Sequence, residues 1–207
     1  MLASISTDKI IETIPHPTFT PIIGQPTYES IAELHLKLNS NAASAHSNRS
    51  NGQLVLLFLT IKPEVHSTLS NVPFAPPSNP GPNATIQTGS TGLQISDIKR
   101  RHTEHYAEWI RYDQTEKLFK KLLLAAADET YVRSLRNKYV GYANVNILTT
   151  LNHLYNSCAK ITPRDLKEND SSFHAPYNPN ETMEILIDQI EKAIDYDAVG
   201  NSPYTAK

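Results

Sequence analysis

Apolar side chains recur along this chain at three- and four-residue steps in several separate windows, the spacing of helices that bury one face. Ile31, Leu34, Leu38, Ala42 and Ala45 form such a stripe behind Thr27, a residue type that caps helix N-termini, and predict a helix over about 28–45. The polar stretch from Ser44 to Gly52 ends it. The continuous apolar run Leu54 to Ile61 fits a buried strand and a buried helix equally by periodicity. No second strand candidate lies nearby, so a helix is expected. Pro63 suits the first turn of a further short helix, from Glu64 to Ser70.

Thr91-Gly92-Leu93-Gln94 has the form of a capping box, in which threonine caps and glutamine reaches back to its amide. A long helix is predicted from there to about Ala127, with Leu118, Leu122, Leu123 and Ala126 inward and Lys117, Lys120 and Lys121 on its wet side. Asp128 to Asn137 reads as more helix with a break, stopped at Gly141. Asn144 is positioned to cap the next helix, whose face is Ile147, Leu148, Leu151, Leu154 and Tyr155. Thr162-Pro163-Arg164-Asp165 combines a cap, a proline at the first helical position and an acid in the first turn. Asn180 is expected to cap the last helix, striped by Met183, Leu186, Ile187, Ile190, Ala193 and Ile194 and stopped at Gly200. No convincing strand pair exists, so the expected class is all-α.

Prolines punctuate the remainder. Pro15, Pro17, Pro21 and Pro26 predict a flexible, irregular proline-rich arm over 1–26, because each removes a backbone donor. Residues 71–92, with Pro73, Pro76, Pro77, Pro80 and Pro82 before Gly89 and Gly92, predict a long Pro/Gly-rich loop or a linker. The expected organisation is therefore an arm, N-terminal helices over 27–70, that loop, a helical domain over 93–200 and a tail over 201–207.

With 207 residues, 39% of them hydrophobic, the chain can bury a core. Its formal charge of -2, and no basic run longer than Lys99-Arg100-Arg101, argue against nucleic-acid binding by this segment alone. One cysteine, Cys158, excludes an internal disulfide and a multi-cysteine zinc site. Its helical spacing from Leu151 and Leu154 predicts a buried, inert thiol. The N-terminus lacks a basic region followed by an apolar one, so no signal peptide is read. The apolar run Leu54 to Leu59 is far short of the roughly 20 residues a membrane helix needs. The expected location is intracellular, in the cytoplasm, with no membrane partner. The N-x-S/T triplets beginning at Asn48, Asn83, Asn169 and Asn180 are then chance matches.

Candidates for chemistry are few. His102, His105 and Glu108 share one helix face, yet the spacing differs from the H-E-x-x-H metal pattern, and a solvated face of mixed charge is the expected reading. The acid pairs Asp195/Asp197 and Asp128/Glu129 do not converge on a helix and are expected to be surface groups. No G-x-S-x-G and no G-x-x-x-x-G-K is present, and Gly89-Ser90-Thr91-Gly92 lacks the lysine of a phosphate loop. Trp109 with Tyr106 and Tyr112 reads as aromatics packed into a helical core rather than a base-stacking platform. Arg133, Arg136 and Lys138, near Tyr131 and Tyr139, form a second small basic patch, expected to be a solvated face. No catalytic residue, cofactor site or metal site is assigned, and the chain is not expected to be an enzyme.

A set of short motifs, taken in order, is more specific. Tyr139-Val140-Gly141-Tyr142-Ala143-Asn144, Leu151-Asn152-His153-Leu154-Tyr155, Ile161-Thr162-Pro163-Arg164-Asp165-Leu166 and Ala175-Pro176-Tyr177-Asn178-Pro179-Asn180 resemble the Gag-like region of copia-type LTR retrotransposon polyproteins. So do Ile14-Pro15-His16-Pro17, Leu38-Asn39-Ser40-Asn41-Ala42-Ala43-Ser44, Pro77-Ser78-Asn79-Pro80-Gly81-Pro82, Asp188-Gln189-Ile190-Glu191 and Gly200-Asn201-Ser202-Pro203-Tyr204. The resemblance spans residues 14 to 205. It implies a helical, capsid-like domain that self-associates as a homo-oligomer into a particle around element RNA. In that family a further helical segment and a C-x2-C-x4-H-x4-C zinc knuckle follow. The resemblance therefore implies a fragment that meets RNA only through a downstream region. The alternative readings are a helical adaptor or nucleic-acid-binding module and, behind both, a metalloenzyme using His102 and His105.

Overall fold

The structure, a computed structural model, describes residues 7–45, 54–69, 76–176, 178–180 and 182–200. It is mostly helical, and among the described residues the only β feature is an isolated bridge between Asn137 and Gly141. The all-α expectation holds. The chain divides into two compact units, residues 1–158 and 159–207.

In the first unit, α1 (Thr7–Ile11) is followed by α2 (Tyr28–Ser44), a 3-10 helix at Val55–Leu59 and α3 (Pro63–Leu69). The 35-residue α4 (Gly92–Ala126), the single turn α5 (Glu129–Val132) with a 3-10 extension to Leu135, and α6 (Ile147–Cys158) complete it. The stripe read on α2 is the buried one: Ile31 and Leu38 are fully enclosed, and Leu34 and Ala42 join them. Its Thr27 cap is a capping box whose returning side chain is Ser30, with Ser30 Oγ accepting from Thr27 N at 2.9 Å. α6 packs on α2, α4 and α5 through Ile147, Leu151 and Leu154, opposite Phe119 and Leu123 of the core. Each large side chain so enclosed contributes about 1.5–3 kcal/mol by leaving water.

Several local expectations move. The run at 54–61 forms a tight 3-10 helix rather than an α-helix, entered from Leu54 in the left-handed region (φ 53°). The cap of α6 is Asn146, whose Oδ1 accepts from Thr149 N at 2.7 Å, not Asn144. The break after Asp128 is a change from α5 to 3-10 geometry at Arg133–Leu135. Residues 12–26 form turns and extended backbone beyond α1, and the buried Ile10 and Ile14 flank their start. Two hydrogen bonds from the Asn41 side-chain amide hold His16: His16 N donates to Oδ1 at 2.8 Å, and Nδ2 donates to His16 O at 2.7 Å. Further on, Ile22 N donates to Ala126 O at 2.8 Å.

α4 has two regimes. From Thr115 onward it buries Leu118, Phe119, Leu123 and Ala126; its first half carries ion pairs instead. Arg100 reaches Asp97 at 2.8 Å and Glu104 at 2.7 Å, and Arg101 reaches Asp97 at 2.8 Å. The Thr91–Gln94 capping box starts it as read.

The second unit is a hairpin of α7 (Pro163–Phe173) and α8 (Met183–Val199). Thr162 caps α7, with Asp165 returning to Thr162 N at 2.7 Å. α8 begins after Thr182 rather than Asn180, whose own amide donates to Asn178 Oδ1 at 3.1 Å. Gly200 ends α8 as expected, but with φ −73° rather than a left-handed turn; a Cβ there would come within 2.5 Å of Leu166 Cδ2, so close approach explains the glycine.

Candidate functional site

Most of the residues singled out by type serve the fold. His102 does not gather with His105 and Glu108. Its ring stacks on Tyr106 (centroids 6.2 Å apart, planes 8° apart) and its Nε2 lies 3.1 Å from Gly81 O, tying the proline-rich segment to α4. Glu108 is buried and pairs with Arg111 at 3.3 Å, so this face is only partly the solvated one expected. Among the described residues no group of three or more His, Cys, Asp and Glu side chains could hold a metal ion. Nor is any described helix long and apolar enough to cross a membrane.

Tyr106, Trp109 and Tyr112 are half-buried along α4 rather than enclosed in a core. Tyr106 and Trp109 rings meet at 5.6 Å, and burial, with the Glu116 charge second, pushes the Tyr112 hydroxyl up to about 12. Cys158 is likewise half-buried, not enclosed, and desolvation raises its thiol above the ordinary 9.0.

Of the acid pairs, Asp128 is the cap of α5. Its carboxylate accepts from Thr130 N at 2.8 Å, and its hydrogen bonding to Thr130 holds it below the usual carboxylate range. Asp195 is exposed as expected, but Asp197 is buried, which corrects its reading as a surface group. Asn169 Nδ2 donates to Asp197 Oδ1 at 2.7 Å and to Ala193 O at 2.9 Å, bolting α7 to α8.

Two arrangements escaped residue-by-residue reading. One is His35 on α2, whose Nε2 lies 2.7 Å from Thr60 O while Nδ1 faces the Tyr155 hydroxyl at 3.3 Å. With Nε2 donating to the carbonyl, Nδ1 accepts from the tyrosine, a neutral tautomer. Burial lowers the His35 pKa below 6.5, the Thr60 bond opposing in part. It is a half-buried polar clasp between α2, the 3-10 helix and α6.

The other is a groove of about 610 Å³ beside α4, lined by Lys117, Lys120 and Lys121 and by Tyr142 and Ala143 across from them. Lys117 is paired with Asp113 at 2.7 Å, while Lys120 Nζ donates to Ala143 O at 3.0 Å. The Tyr142 hydroxyl is buried without a hydrogen-bond partner. The turn that leads into this groove, Asn137 to Gly141, exposes Tyr139 to 81%. The lysines were legible as a wet helix face; their pairing with a turn about twenty residues on was not.

α8 leaves apolar side chains uncovered: Met183 (55% exposed), Ile187 (49%) and Ile194 (44%) follow one another on one side of the helix. Comparison with known proteins found no matching family model, no matching curated protein and no matching solved structure.

Proposed function

We propose that this chain is the capsid-like Gag region of a copia-type LTR retrotransposon, a structural protein that self-associates into a particle around element RNA. Two lines support the reading. The ordered motifs from Ile14-Pro15-His16-Pro17 to Gly200-Asn201-Ser202-Pro203-Tyr204 resemble that family, and the all-α class agrees with what the resemblance implies.

The observation that carries the self-association is α8. Its apolar stripe is wider than the face α7 covers. Among the described residues of the hairpin only Ala193 and Asp197 are buried, while Met183, Ile187 and Ile194 stay open. A two-helix unit of this size cannot enclose a core by itself, and a second copy of the same helix supplies the missing apolar partner. A single contact of this size is weak; repeated around a closed particle it becomes strong through multivalency.

Sedimentation and light scattering over a wide concentration range test this. Higher-order species that grow with concentration and are lost in Ile187→Glu/Ile194→Glu are expected. A chain that stays monomeric at the highest attainable concentration overturns the reading.

A further inference from the structure

The open stripe of α8 is bordered by charge that opposes its pairing. We propose that this charge gates self-association, so that two copies join when salt screens it and separate when salt does not. The inference rests on the preceding reading, in which Met183, Ile187 and Ile194 meet a second copy.

The charge sits on one edge. Residues three and four apart on a helix are surface neighbours. Glu191 follows Ile187 by four positions and precedes Ile194 by three, so it stands beside both. Glu184 precedes Ile187 by three, and Asp188 and Asp195 lie one turn beyond the two glutamates. All four carboxylates are exposed. Lys192 is the one basic residue of α8, and it pairs with Asp188 at 2.7 Å. Glu184, Glu191 and Asp195 therefore set the sign beside the stripe. Hydrogen bonds from its own amide and from Thr182 hold Glu184 below the usual carboxylate range, so it is ionised at neutral pH.

Neither orientation of a helix pair escapes this. Antiparallel helices bring the Glu184–Glu191 edges of the two copies together. Parallel helices lay each edge against the partner's α7, a helix with three acids and two bases. The charge of the whole unit points the same way. Residues 159–207 hold nine Asp and Glu and five Lys and Arg, a formal -4, whereas residues 1–158 come to +2. A contact between two second units thus joins like charges around an apolar centre.

Salt separates the two forces. Repulsion between exposed charges reaches about 10 Å at 0.1 M salt and about 3 Å at 1 M. Burial of the stripe does not depend on that reach. Added salt therefore removes the opposition and leaves the attraction. A contact built from complementary ion pairs responds in the opposite sense.

The test is sedimentation velocity of the full 207-residue chain over a concentration series in about 0.1 M and about 1 M NaCl. Association should tighten about tenfold between the two, the effect of a few like-charge contacts worth about twofold each. Glu191→Gln/Asp195→Asn, at exposed positions away from the helix cap, should associate in the lower salt nearly as the parent does in the higher. Its own response to salt should be small. Association that weakens with salt overturns the proposal. So does a salt response that survives undiminished in Glu191→Gln/Asp195→Asn, since that marks ordinary salting-out of apolar surface. If parent and neutralised variant both stay monomeric in the higher salt, the pairing of α8 falls together with its gate. If both associate alike in the two salts, the gate alone falls.

Discussion

His35 and Tyr155, 120 residues apart in sequence, meet with ring centroids 6.0 Å apart and the tyrosine hydroxyl 3.3 Å from Nδ1. On its other side the imidazole holds Thr60 O, so one neutral ring joins three elements of the first unit.

A pH dependence follows from that burial. The folded chain holds His35 below 6.5, so the unfolded chain binds this proton more readily. The stabilisation is complete above pH 6.5 and is lost as pH falls below it toward the lowered value. Thermal melts between pH 8 and pH 5 should show His35→Gln losing less stability on acidification than the parent; equal slopes would contradict the clasp.

Asn41 is a second buried polar anchor, and it does for residues 12–26 what a strand partner would do. Asn41→Ala removes both bonds to His16 and should destabilise the chain by about 2 kcal/mol in urea denaturation. Asn41→Asp keeps the acceptor for His16 N but sets a carboxylate against His16 O, and should do no better than alanine.

Phe119 lies at 0% exposure where the core half of α4 enters the first unit. Phe119→Ala should cost about 3–5 kcal/mol, whereas Phe119→Leu should cost much less. Chemical denaturation of the two variants separates a packed position from a tolerant one.

Cys158 gives a chemical readout. Because desolvation raises its thiol above 9.0, alkylation by iodoacetamide at pH 8 should run slower than that of a free cysteine peptide, and its rate should keep climbing beyond pH 9. A rate matching the peptide's would mean that the thiol is as hydrated as a surface one.

What could be read from sequence was what depends on neighbours in sequence. The capping boxes at Thr27, Thr91 and Thr162 close over three residues, so residue type alone locates them. The cap of α8 slipped from Asn180 to Thr182, and that of α6 from Asn144 to Asn146. In each case several residues were able to cap, and the start of packing decides among them. The partners of inward-facing polar residues were not legible. Asn41 and Asp197 find partners 25 and 28 residues away, and His35 finds them 25 and 120 away, at atoms that periodicity does not encode. The candidate groove lay half in view: Lys117, Lys120 and Lys121 stood out as a wet helix face, but their meeting with Tyr142 and Ala143 depends on a turn conformation set by Gly141.

The divided character of α4 sets how far that helix reaches. At 35 residues it is about 50 Å long when fully wound. Its far end is anchored by hydrophobic packing, which salt leaves in place. Much of its leading end rests on exposed pairs around Arg100, whose attraction fades as the screening length contracts from about 8 Å toward about 3 Å in molar salt. Ionic strength therefore acts as a ruler on α4: amide exchange at its first turns should quicken with added salt while the turns near Phe119 keep their protection, so the rod shortens from one end only.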